Sequence, residues 1–252
     1  MNLKGKKLLV LGAGLWQMPY IIKARELGCY ISATDWNENP EGKKYVNCFR
    51  QIDLKNLDES LRFAREQQVE AIFTNADIGV PTAAYIAEKL GLYYHSREQA
   101  EVSTNKFLMR NTLSKIGLNT PQYRLVQKRE DVINSYKEFS GEVIIKPVDN
   151  CSSRGVYIAN TVDDVNKYSH DSFKNSFIGN ILIEELMVGI ESSVEVIVDK
   201  GEPIVLGWCK KQKSNIPYRY DLQLDYFPDY PDSEHKEVWQ MVNQLIYGLG
   251  IK

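Results

Sequence analysis

Lys146 ends an apolar run, Val143-Ile144-Ile145-Lys146-Pro147, and a short polar loop follows it, Val148-Asp149-Asn150-Cys151-Ser152-Ser153-Arg154-Gly155. A lysine at the end of such a run has its stem buried and its ammonium held in place. The loop is small and polar, so its backbone N–H groups can close over phosphate oxygens. Ser152 and Ser153 add hydroxyl donors, Arg154 adds a fork of charged donors, and Gly155 removes steric conflict. Taken alone, the stretch reads equally well as a solvated turn with a chance lysine. A second apolar run, Ile181-Leu182-Ile183, closes on Glu184 and Glu185, and Glu191 follows the glycine turn at Gly189. Backbone from Glu184 through Leu186 to Met187 could read an adenine edge, and Glu191 could accept hydrogen bonds from ribose hydroxyls. An edge strand with exposed charges is the plainer alternative. Lys106 opens a helical stretch, where a cation gains nothing from the helix dipole. A ligand anion would give it a reason, against the alternative of an ordinary surface lysine.

A different chemistry is suggested by Gly12-Ala13-Gly14, between an apolar run and a helical stretch, with Asp35 after the next run. A dinucleotide fingerprint asks for G-x-G-x-x-G and an acid about 20 residues on. Gln17 stands at the third glycine position, so a tight strand-to-helix turn that binds no dinucleotide is favoured.

These residues need elements to hold them. Lys6–Leu11 is a short apolar run ending at glycine and reads as a buried parallel strand. Helical spacing over Ile21–Leu27 stops at Gly28, and Cys29–Thr34 is a second strand. A helix over Leu57–Gln67, a strand over Ala71–Thr74 and a helix over Val80–Leu90 complete an open parallel α/β region. Near Ser103 the pattern changes. A helix over Asn105–Ile116 leads to Tyr123–Val126, a helix around Asp131–Phe139, strands over Glu142–Pro147 and Val156–Ala159, and a helix opening at Asp163-Asp164. The strand Ile181–Ile183 follows, and then a hairpin in which Glu191–Asp199 turns at Lys200-Gly201-Glu202-Pro203 into Ile204–Cys209. Ser214–Ser233, rich in Tyr, Asp and Pro, reads as a long loop, and Glu237–Tyr247 as a helix stopped by Gly248. The expected boundaries are an α/β domain over 1–103, a small α+β subdomain over 104–182 and the start of a larger one over 183–252.

Composition bounds the partners. The 252 residues are 43% hydrophobic and 25% charged, with 31 basic against 33 acidic side chains and a net charge of -2. That balance points to neither nucleic acid nor an anionic membrane as the partner. No stretch approaches the roughly 20 apolar residues of a membrane span. The four cysteines form no C-x-x-C pair, and only three histidines could help bind a metal. Reduced thiols and a cytoplasmic location are therefore expected, with no metal site among these residues.

Order and spacing together carry more than any one motif. Thr104-Asn105-Lys106-Phe107-Leu108-Met109-Arg110, then Gly117-Leu118-Asn119-Thr120-Pro121, resembles the entry to the ATP-grasp fold. Ile144-Ile145-Lys146-Pro147 with its loop looks like that family's second lysine and phosphate lid, and Ile183–Glu191 like its adenine hinge and ribose acid. The N-terminal region, with Asn75-Ala76-Asp77 and Leu90-Gly91-Leu92, looks like the domain preceding the ATP-grasp region in carbamoyl-phosphate-synthase-like and amino-acid-ligase members. The resemblance implies an α/β pre-ATP-grasp domain followed by α+β ATP-grasp subdomains, the last incomplete. It implies that Lys106 and Lys146 contact ATP phosphates, that Ser152, Ser153 and Gly155 close over them, and that Arg154 assists catalysis. Glu184 would face the adenine amino group, with the backbone of Glu185, Leu186 and Met187 along the base and Glu191 on the ribose. Lys211 or Lys213 could reach a phosphate.

The activity implied is ligation of a small carboxylate to an amine-type acceptor through an acyl phosphate, with ATP and Mg2+. The family's metal ligands are expected beyond the end of this chain, because Asp225, Asp229 and Asp232 sit in no such pattern; a truncated sequence is expected for the same reason. Tyr218, Arg219 and Tyr220 could line an acceptor pocket. A dimer is the commonest expectation for such enzymes. The competing functions are a nicotinamide-dinucleotide-binding oxidoreductase or regulator using Gly12, Gly14 and Asp35, and a nucleotide-binding domain without catalysis.

Overall fold

The protein, here as a computed structural model, is described over residues 3–215, 218, 220–226 and 232–251. The chain divides into two compact units, Met1–Thr104 and Asn105–Lys252. In the first, strands β1 (Lys7–Leu11), β2 (Tyr30–Asp35), β3 (Cys48–Gln51) and β4 (Ala71–Phe73) form a parallel sheet in the order β3-β2-β1-β4. Helices α1 (Met18–Glu26), α2 (Leu57–Gln67), α3 (Val80–Leu90) and α4 (Arg97–Thr104) accompany it. Because strand side chains alternate, Leu9 and Leu11 join Phe63 and Ile86 in one core cluster, while Val10 joins Ile21, Ile31 and Ala33 in another. Burial of both faces explains why β1 reads as a continuous apolar run. Two elements were invisible in the pattern. β3 is a partly exposed strand of mixed polarity, and α4 buries only Ala100.

The second unit opens with α5 (Lys106–Lys115), whose N-cap Asn105 accepts from the N–H groups of Phe107 and Leu108. Strands β5 (Tyr123–Val126), β6 (Val143–Pro147), β7 (Tyr157–Ala159) and β8 (Ile181–Glu185) form an antiparallel sheet in the order β5-β8-β6-β7. Helices α6 (Val132–Tyr136) and α7 (Val162–Lys174) bring Val132, Val165 and Phe173 into a core with Val143, Ile145, Ile181 and Ile183. α6 is shorter than its apolar spacing predicts. Residue 182, where the second expected boundary lies, falls inside β8.

A second antiparallel sheet, β11-β10-β9, is built from β9 (Ser192–Asp199), β10 (Glu202–Lys213) and β11 (Asp221–Tyr226). The β9–β10 turn puts Lys200 and Gly201 at φ 54° and 86°, as a tight hairpin with two left-handed central residues requires. β10 runs past Cys209 to Lys213, and β11 lies in the segment expected to be loop. Asp-Leu-Gln-Leu-Asp-Tyr does alternate, but its Tyr-, Asp- and Pro-rich flanks hide it. The last helix, α8 (Asp232–Leu249), starts earlier than expected. No described helix is long and apolar enough to cross a membrane.

Candidate functional site

The register of β6 and β8 explains the central cluster. Ile144 pairs with Glu184 and Lys146 with Leu182, so Lys146 and Glu184 are diagonal neighbours on the face turned away from the core of Ile145 and Ile183. Lys146 Nζ donates to Glu184 Oε2 at 2.5 Å. Arg110, from α5, donates Nε to Glu184 Oε1 at 2.8 Å and Nη2 to Oε2 at 3.2 Å. Side-chain exposure is 2% for Glu184, 13% for Lys146 and 23% for Arg110. Burial works to raise the Glu184 carboxyl, but Lys146 and Arg110 outweigh it and hold the group below the ordinary carboxylate value. Burial draws the Lys146 ammonium down from the usual lysine value, against the pull of Glu184. The cluster is therefore one buried carboxylate between two cations.

Lys106 is fastened to the loop that leaves Lys146. Its N–H donates to Val148 O at 2.8 Å, and its Nζ donates to Asn150 O. Asp149 is spent structurally, accepting from Ser176 Oγ and from the N–H groups of Phe177 and Ile178. The base of the loop is anchored by Ser172 Oγ, which donates to Gly155 O at 2.6 Å. Gly155 has φ +70°, and a Cβ there would lie 2.8 Å from Asn175 Cβ, so glycine is required twice over. Ser152 and Ser153 also hold left-handed conformations, φ 58° and 55°, a cost that non-glycine residues bear most often at ligand-binding loops. Arg154 folds back instead of reaching outward: Nε donates to Cys151 O and Nη2 to Cys151 Sγ, both at 3.2 Å.

Beyond Glu184 the chain leaves the sheet. The N–H groups of Glu185 and Leu186 donate to Gln122 O and Glu142 O, and Met187 is exposed. Glu191 joins a second ionic cluster. Lys213 Nζ lies 2.7 Å from Glu191 Oε1 and 2.5 Å from Asp221 Oδ1, with Lys211 at 3.9 and 3.5 Å from the same two groups. Burial opposes the charge on Lys213, but Asp221 and Glu191 prevail and raise its ammonium above the ordinary value. Tyr218 stacks on Tyr220 with centroids 5.7 Å apart and helps to line a cavity of about 390 Å³ with Tyr157, Tyr168 and Asp171. Arg219 and Asp229 lie outside the described residues. Among the described residues no group of three or more His, Cys, Asp or Glu is arranged to hold a metal ion.

Arg110 and Asp221 were missed by sequence reasoning. Arg110 had a signal, being one turn beyond Lys106 on the same helix face. Asp221 had none once its segment was taken for loop.

The N-terminal turn is arranged differently. Asp35 Oδ2 accepts from Ala13 N–H at 2.8 Å and Oδ1 from Asn37 N–H at 2.9 Å, so this carboxylate closes the turn itself. The Gln17 side chain stands against Gly12, 3.1 Å from where a Cβ would be, and donates to Asn75 Oδ1. A pyrophosphate would meet that amide where a fingerprint has its third glycine. The dinucleotide alternative is not favoured.

In the second unit a lysine-bearing strand leads into a glycine-anchored loop, and the neighbouring antiparallel strand sets Glu184 against that lysine. Residues 104–216, just under half of the chain, match the family model described as "Phosphoribosylglycinamide synthetase, ATP-grasp (A) domain". Among curated proteins the chain resembles a phosphoribosylamine–glycine ligase of Fusobacterium nucleatum, 24% identical over 168 residues, with 64% of this chain and 39% of the relative covered. It also resembles a D-alanine–D-alanine ligase of Wolbachia pipientis wMel, 26% identical over 176 residues, covering 66% and 54%. The chain thus spans about half the length of the curated relatives it matches. Its fold is shared with an L-amino acid ligase from Bacillus licheniformis, with TM-score 0.81, 20% identity, and 98% of this chain and 61% of that one covered. N5-carboxyaminoimidazole synthetase from Staphylococcus aureus, a structure complexed with ADP, has TM-score 0.78, 15% identity and coverage of 98% and 64%.

Proposed function

We propose that this chain binds ATP and forms the nucleotide-binding part of a ligase that joins a small carboxylate to an amine through an acyl phosphate. The observation that carries this is the buried Lys146, fixed by Glu184 at the exit of β6 and followed by a loop to which Lys106 is fastened. Lys106 and Lys146 would face the phosphates, and Ser152, Ser153 and Gly155 would close over them. The N–H groups of Glu185 and Leu186 are already donated, so adenine would meet the Glu185 carbonyl and the Met187 amide. Glu191 would accept from the ribose. Arg154 would have to release Cys151 before it could touch a phosphoryl group. In this assignment 1–103 is the domain preceding the ATP-grasp region, and the small subdomain runs to Glu185 before the larger one begins.

The chemistry asks mainly for position and charge. A carboxylate oxygen of the first substrate attacks the γ-phosphorus and ADP leaves; an amine then attacks the acyl carbon and inorganic phosphate leaves. Charge spread over the phosphoryl oxygens is met by fixed lysines, and a closed loop keeps water from the acyl phosphate. Magnesium would accompany the nucleotide phosphates, and among the described residues no group of three or more His, Cys, Asp or Glu is arranged to hold it. The same proposal takes the protein as a cytoplasmic homodimer with small-molecule partners.

Calorimetric titration of the chain with a non-hydrolysable ATP analogue and magnesium, with NADH in parallel, tests the nucleotide site. Saturable binding of the ATP analogue alone is expected. Binding of NADH alone would overturn the proposal and move the site to Gly12, Gly14 and Asp35. Trapping of an acyl phosphate by hydroxylamine, with ATP and a panel of amino acids, tests the ligase step in the protein that carries this chain.

A further inference from the structure

Glu184 presents two oxygens, and both are taken: Oε1 by Arg110 Nε, and Oε2 by Arg110 Nη2 and Lys146 Nζ. Lys146 faces a difficulty that Arg110 resolves. A lysine paired one-to-one with a buried carboxylate offers almost no net charge to an approaching polyanion, because its field is cancelled at contact distance. Two cations on one carboxylate leave a surplus of one positive charge in a low-dielectric setting. The arginine fork also fixes the carboxylate plane, and with it the direction from which Lys146 Nζ is held.

We propose that Arg110 is a positioning residue for the nucleotide phosphates: it holds Glu184 and keeps the Lys146 cluster positively charged, without touching the ligand. Glu184 then serves as the bracket for Lys146, in place of a contact to the adenine amino group. This rests on the ATP-binding proposal above.

Charge counting separates this role from a merely structural one. The cluster carries a surplus of one positive charge in the wild type, none in Arg110→Gln, and one again in the double variant Arg110→Gln/Glu184→Gln. Affinities of the 252-residue chain are measured by calorimetry for a non-hydrolysable ATP analogue with magnesium and for adenosine, which has no phosphate. Thermal melts identify variants that remain folded. Arg110→Gln is expected to weaken the ATP analogue about tenfold and to leave adenosine within about twofold, the scale of one neutralised contact charge. Arg110→Lys is expected to recover part of the loss, and the double variant to bind the ATP analogue more tightly than Arg110→Gln. Equal losses for ATP analogue and adenosine, or a double variant no tighter than Arg110→Gln, would overturn the inference. If Arg110→Gln does not fold, Glu184→Gln against Arg110→Gln/Glu184→Gln decides the matter, a surplus of two charges against one: weaker binding of the ATP analogue by the double variant with adenosine unchanged supports the inference, and equal affinities overturn it. A wild type that binds neither nucleotide ends the ATP proposal itself, and this inference with it. A wild type that binds both while Arg110→Gln matches it removes only the role of Arg110.

Discussion

Two ionic clusters in the second unit have cations of similar exposure, and they differ in where their carboxylates lie. Arg110, Lys146 and Glu184 meet on a sheet face where Glu184 is 2% exposed. Lys211, Lys213, Glu191 and Asp221 meet on the three-stranded sheet, where both carboxylates are 41% exposed. Removing one partner of a buried cluster strands an uncompensated charge, whereas water takes over for an exposed one. The first cluster is therefore expected to be part of the folding core as well as of the site, and the second an adjustable set of charges. The difference follows from register. Glu184 lies near the end of β8 but is paired on both sides, to Tyr123 and Ile144, while Asp221 opens β11, paired only to β10.

The largest expected effect is on stability. Glu184→Ala should cost about 3–5 kcal/mol in denaturant unfolding, because Arg110 and Lys146 lose their shared counter-charge. Asp221→Ala should cost no more than about 1 kcal/mol. Similar losses for the two would erase the distinction. Next comes affinity: Lys146→Ala should weaken binding of a non-hydrolysable ATP analogue at least about tenfold, and Lys213→Ala by less, since charge-assisted bonds at a dry site are the stronger ones.

The pH dependence should also divide. The folded Glu184 carboxyl is held below its ordinary value of 4.5, so its contribution is present above that value and lost as pH falls through the depressed one. The stability gap between wild type and Glu184→Gln should narrow on acidification. Lys213 is raised above 10.5, so its contribution is present below that value and lost as pH rises through the elevated one. The gap between wild type and Lys213→Met should narrow on the alkaline side. Melts across the pH range check both, and a gap that closes at the other end would contradict the assignment. The smallest effect is expected for Asp35→Ala, which should leave ATP-analogue affinity within about twofold. Its carboxylate only caps the turn at Ala13 and Asn37, and that loss belongs to stability, on the order of 1 kcal/mol.

Much of this arrangement was legible in the residues. A continuous apolar run marked β1, helical spacing marked α2 and α3, and period-2 alternation marked the β9–β10 hairpin. The lysine, loop and hinge were singled out because their order and spacing resemble one architecture. Legibility failed where local composition and long-range pairing disagree. β11 was hidden by the composition of its flanks, and it forms by pairing with the neighbouring β10. The partners of Glu184 were hidden too, since 74 residues separate Arg110 from Glu184 and only the packed fold joins them. Arg154 was given an outward role by its type, whereas in the structure its guanidinium is satisfied by Cys151.

On the proposed function, nucleotide phosphates would sit at the face carrying Lys146 and the loop pinned by Lys106. An ATP analogue with a terminal acyl phosphate transfers its acyl group to whichever lysine lies beside the phosphates, and peptide mapping identifies that lysine. An adduct on Lys106 or Lys146 that excess ATP suppresses is expected. An ATP-suppressible adduct found only elsewhere, such as on Lys43 in the first unit, would contradict the proposed function.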